Sequence, residues 1–107
     1  MIDDYPKTMK LIENMKARLP IPAHASKPFV RLMREQGIKM KTSQKLQIVD
    51  VLYLEDDGGI ACAIKGVGDE KSAIIVSITH LAIEESHPLG KEVRAYQIER
   101  TRKLAGR

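Results

Sequence analysis

Apolar residues recur between residues 4 and 19 at steps of three and four: Tyr5, Met9, Ile12, Met15 and Leu19. That spacing lines one side of an α-helix. Asp3 or Asp4 is placed to cap it, Pro6 is tolerated in its first turn, and Pro20 and Pro22 stop it. Leu19-Pro20-Ile21-Pro22 then reads as a stiff connector. A second helix is predicted over 27–36, capped by Ser26, with Phe29, Leu32 and Met33 inward. Gly37 is placed for the left-handed position that ends it, followed by the apolar Ile38.

From Leu46 the period changes to two. Leu46 to Leu54 is rich in β-formers, Asp56-Asp57-Gly58-Gly59 follows, and Ile60 to Lys65 is apolar again. Asp-Gly between two such runs predicts a hairpin with Asp57 and Gly58 as its turn residues. That register sets Asp50 opposite Lys65, Val51 opposite Ile64 and Tyr53 opposite Cys62. Gly66 to Lys71 reads as a second turn, and Ala73 to about Ile83 as a third strand. A last helix is predicted from Pro88 to about Leu104, with Leu89, Val93 and Tyr96 as its apolar stripe.

The order is α-α-β-β-β-α. It predicts an α+β fold, a three-stranded antiparallel meander with flanking helices, in a single domain over 1–107. Strict alternation puts Val49, Val51, Tyr53, Ile60, Cys62 and Ile64 on one sheet face, and Leu46, Ile48, Leu52, Leu54, Ala61 and Ala63 on the other. Both faces are apolar, so helices cover both or one face joins two subunits. A homodimer is the expectation; a small curved β-barrel with helices is the alternative fold.

Charge is sorted along this order. Residues 1–45 carry a net +6, residues 46–90 a net −6, and residues 91–107 a net +4. The basic segments are the predicted helices. Lys27, Arg31 and Arg34 fall at i, i+4 and i+7 on the second helix, and Lys39 and Lys41 carry the charge into the next segment. Arg94, with Lys91 and Arg102, marks a basic face on the last helix, near Arg100, Lys103 and Arg107. Such clusters are the footprint of phosphate binding, although a solvated helical face has the same composition. Lys27, Arg31, Arg34, Lys39, Lys41 and Arg94 are the candidate anion-binding residues.

Other chemistry is thinly represented. His80, Glu84 and His87 approach metal-ligand spacing only on a continuous helix, which Pro88 and the strand pattern of His80 oppose. Cys62, the single cysteine, sits mid-strand among apolar neighbours and reads as core. The glycines lack nucleotide-loop spacing, and the acidic pairs Asp56-Asp57 and Asp69-Glu70 suit turns. No cofactor or metal is implied. The N-terminal residues lack the apolar run of a secretory signal, and no segment reaches membrane-spanning length, so a cytoplasmic location is expected. These readings favour a small non-enzymatic binding or interaction protein, homodimeric, with basic helical faces toward an anionic partner. A nucleic-acid-binding accessory protein is one alternative. A small enzyme or enzyme subunit, using His80, Asp50 or Tyr53 between sheet and helices, is another.

Overall fold

The computed structural model describes residues 3–42, 44–65, 73–84 and 86–106. Its elements are α1 (Tyr5–Lys16), β1 (Ile21–Ala25), α2 (Lys27–Glu35), β2 (Lys45–Tyr53), β3 (Ile60–Lys65), β4 (Ile74–Ser77), β5 (Leu81–Ala82) and α3 (Gly90–Ala105). The fold is α+β, with the strands in one curled, wholly antiparallel sheet of order β4-β3-β2-β1-β5.

The helices begin and end where their capping chemistry sits. Asp4 caps α1 by accepting from the Lys7 N–H. The Ser26 hydroxyl accepts from the Phe29 N–H at the start of α2. Beyond α2, Gly37 takes φ +81°, and the Ile38 N–H folds back onto the Met33 carbonyl at 2.8 Å, the left-handed cap that glycine permits. The buried stripe of α1 is Thr8, Leu11, Ile12 and Met15, while Tyr5 is exposed.

Two strands enlarge the meander. The Pro20–Pro22 connector leads directly into β1, which pairs with β2 from Ile21 opposite Ile48 to His24 opposite Lys45. The long third strand expected over 73–83 is broken: β4 ends at Ser77, Ile78–His80 form a 3-10 turn, and β5 crosses the sheet to pair with β1 at His24 and Ala25. Ser77 accepts from the Thr79 N–H at that turn, which uses the strand's polar residues as a break. The second turn expected at Gly66–Lys71 lies outside the described residues.

The hairpin differs from a two-residue turn. Glu55–Asp57 form a 3-10 turn, and the Leu54 N–H closes the loop onto the Gly59 carbonyl at 2.8 Å. Gly59, at φ +64°, takes the left-handed position rather than Gly58. Consequently Asp50 faces Ala63, Val51 faces Cys62 and Tyr53 faces Ile60, with Lys65 opposite Gln47.

A β-bulge corrects the reading of two apolar faces. The register steps between Ile48 and Asp50, leaving Val49 as the extra residue. An added residue reverses which side chains point inward. Leu46 and Ile48 therefore share the core face with Val51, Ile60, Cys62 and Ile64. One buried cluster joins these to Leu11, Ile12 and Met15 of α1, Phe29, Val30 and Met33 of α2, and Val93 of α3. The other face carries the exposed Gln47, Asp50, Lys65 and Ile75, with small Ala61 and Ala63 between them.

Candidate functional site

The second helix turns its basic side outward because Phe29, Val30 and Met33 hold the opposite side in the core. Lys27, Arg31 and Arg34 project from the free side, all exposed. Met40 is buried, which pins the segment after Gly37 against the body and presents Lys39 and Lys41 on either side of it. Two shallow grooves result. One of about 510 Å³ is lined by Lys27, Val30, Arg31, Arg34, Lys41 and Thr42. The other, about 570 Å³, is lined by Arg34, Ile38, Lys39, Met40, Lys41 and Gln44, with Gly37. Arg34 and Lys41 border both. Among the described residues, no carboxylate lines either groove and none of the five cations is in an ion pair.

Five of the six anticipated residues thus come together. Arg94 does not: it is exposed on α3 and borders neither groove. Its neighbours on α3 are committed elsewhere. Arg102 and Lys103 pair with Glu99, Arg100 is buried, and Arg107 lies outside the described residues.

Arg100 belongs to a cluster that hydrophobic periodicity does not reveal. Its Nη1 donates to Asp3 Oδ1 at 3.0 Å and Oδ2 at 3.1 Å, and its Nη2 to the Asp56 carbonyl at 2.9 Å. The hydroxyls of Tyr96 and Tyr53 donate to Asp3 Oδ2 at 2.8 and 3.0 Å. Tyr96 in turn accepts the Ile60 N–H at 3.0 Å. Desolvation, reinforced by the Asp3 carboxylate, pushes the Tyr53 phenol up to about 12. Burial raises Tyr96 as well, and Asp3 adds to it against the opposing bond from Ile60. Both phenols are therefore donors at neutral pH. The available signal was Arg100's position: it follows Val93 and Tyr96 along the inward stripe, and a cation on an inward stripe requires a buried partner.

Asp3, Tyr96 and Arg100 also border a groove of about 530 Å³ between α1 and α3. Lys7, Lys10 and Lys103 line it together with Asp4, Glu92 and Glu99, so both signs of charge meet there.

The remaining candidates have separate partners. His24 Nε2 lies 3.2 Å from Glu84 Oε1, the His80 ring stacks on Phe29 at 5.7 Å between centroids, and His87 Nδ1 accepts the Leu89 N–H. His80 occupies the 3-10 turn rather than a strand. Among the described residues no group of three or more His, Cys, Asp or Glu could hold a metal ion. Burial pushes the Cys62 thiol up to about 12, which leaves it protonated and unreactive at neutral pH. Asp50 is exposed and accepts the N–H of its neighbour Val51. Asp50, Tyr53 and His80 line none of the three grooves. No helix among the described residues is long and apolar enough to cross a membrane.

Compared with known proteins, the chain matches no family model, no curated protein and no solved structure.

Proposed function

We propose that this protein is a non-enzymatic binding module that contacts a polyanion, specifically a nucleic-acid backbone, through α2 and the segment at 38–42. One observation carries the reading: Lys27, Arg31, Arg34 and Lys41 line an open groove without a carboxylate among them. The cation that the fold buries is paired within the chain, Arg100 with Asp3. Cations held together without counter-charge repel one another and are relieved by phosphates, whose condensed counterions are released on binding. Arg31 and Arg34 offer planar donor geometry for phosphate oxygens. Cations on an open groove suit contacts to phosphates, which position a protein on the backbone without reading sequence.

The test is a salt titration of binding to labelled duplex DNA, single-stranded DNA and RNA. Log affinity should fall linearly with log salt. Arg31→Ala/Arg34→Ala should weaken binding similarly across sequences and flatten the slope by about 0.9 per lost phosphate contact on duplex DNA. Unchanged affinity in that variant would remove α2 from the site. Absence of binding at low salt would remove nucleic acid as the partner.

Self-association is a second, compatible reading. It is favoured by β4, an edge strand whose Ile75 is 51% exposed, since an apolar edge is a template for pairing with another chain. Light scattering across concentration should show a dimer that Ile75→Lys shifts toward monomer; a monomer throughout would end this reading.

A further inference from the structure

Two of the three groups that donate to the Asp3 carboxylate, Arg100 and Tyr96, are also anchored on other parts of the chain. Asp3 is 7% exposed and Arg100 3%. One guanidinium nitrogen reaches both carboxylate oxygens, and two phenol hydroxyls converge on Oδ2. Yet Arg100 is separately anchored on the Asp56 carbonyl, and Tyr96 on the Ile60 N–H. Gly59 completes the support. A Cβ there would lie 2.4 Å from the Tyr96 hydroxyl and 2.8 Å from the Arg100 guanidinium, so only glycine lets the loop seat both. Asp3, by contrast, stands ahead of α1, outside its capping residue Asp4. The receiving groups belong to the sheet and α3; the carboxylate is brought to them from outside those elements.

We propose that Arg100, Tyr96 and Tyr53 form a binding site for a small organic carboxylate, that Asp3 fills it as a tethered internal ligand, and that an external carboxylate reaches it through the α1/α3 groove. Converging donors, two of them fixed by supports of their own, suit recognition of an oxyanion. The groove of about 530 Å³ has Asp3, Tyr96 and Arg100 in its wall, which opens the donors to an approaching ligand, and its lining carries both lysines and carboxylates. A short tether gives Asp3 an effective concentration on the order of mM, so an external acid must exceed that level to displace it. This site is distinct from the α2 groove, and either can fail without the other.

The full-length chain with Asp3→Gly tests the assignment by thermal unfolding in acetate and in chloride at equal ionic strength and neutral pH. Removing the tethered carboxylate should lower the midpoint. Acetate should restore more than half of the loss and saturate, chloride should not, and the wild-type midpoint should move less. Adding Arg100→Met to Asp3→Gly should abolish the response. Equal curves in acetate and chloride would overturn the proposal. Should Asp3→Gly not fold in chloride, refolding it in acetate asks the same question: recovery of folded protein supports the site, and no recovery in either salt overturns it.

Discussion

At the scale of single residues, Tyr96 and Tyr53 make the same bond to Asp3 with unequal consequences. Tyr96→Phe removes a donor to Asp3 and also strands the Ile60 N–H, which the hydroxyl accepts. A buried group left unpaired costs about 1–3 kcal/mol, against roughly 1 kcal/mol for a single exchanged bond. Tyr96→Phe should therefore cost more than Tyr53→Phe in urea unfolding. Alkaline titration has a defined sign. The folded state holds the Tyr53 proton up to about 12, above the ordinary phenol value of 10.0. Its contribution is complete below 10.0 and is lost as pH rises from there to about 12. Stability should fall across that window, and Tyr53→Phe should shallow the fall. A flat profile would show that the phenol makes no difference between the folded and unfolded states. Residue chemistry was legible in the sequence where it was local: Ser26, Asp4 and Gly37 act on neighbours three to five positions away. Asp3 and Arg100 were not, because spacing within one helix cannot name a partner across the chain.

Among the elements, the two left-handed glycines separate strain from space. Gly37 has φ +81° and open space within 4 Å of where a Cβ would stand, while Gly59 has φ +64° and faces Tyr96 and Arg100. Gly37→Ala bears only the backbone penalty, about 1 kcal/mol. Gly59→Ala adds displacement of the Asp3 cluster and should destabilise the chain by about 3 kcal/mol or more, in the range seen for a disrupted buried pair. Comparable losses in thermal unfolding would refute the close approach at Gly59. The helices were readable because capping and period agreed. β1 was hidden by its composition, since Pro22 and three weak strand formers follow Ile21. The structure accommodates Pro22 where β1 has a free side, beyond the two residues with which β5 pairs. The bulge at Val49 was likewise invisible, because alternation cannot register one inserted residue until the partner strand is known.

For the whole molecule, the sorting of charge along the sequence becomes a difference between grooves. Among the described residues, the charged groups lining the α2 grooves are all cations, while the α1/α3 groove mixes both signs. Lys10→Ala should therefore change nucleic-acid affinity by no more than about twofold under the salt titration that exposes Arg31 and Arg34, because nearby carboxylates already offset it. A loss matching theirs would relocate the binding surface to α1. The sequence showed which helices were basic. It could not show which cations are spent on internal pairing, and Arg100 and Arg94 are the two whose places it left hidden. The bond between Asp3 and Arg100 has one more consequence, in time rather than in energy. It joins residues 97 positions apart, and closing so long a loop is entropically costly early in folding. A contact absent from the folding transition state acts as a latch on escape. Arg100→Met should accelerate unfolding by more than about tenfold and leave the folding rate nearly unchanged; an equal slowing of folding would show that the pair already forms in the transition state and is no latch on the native molecule.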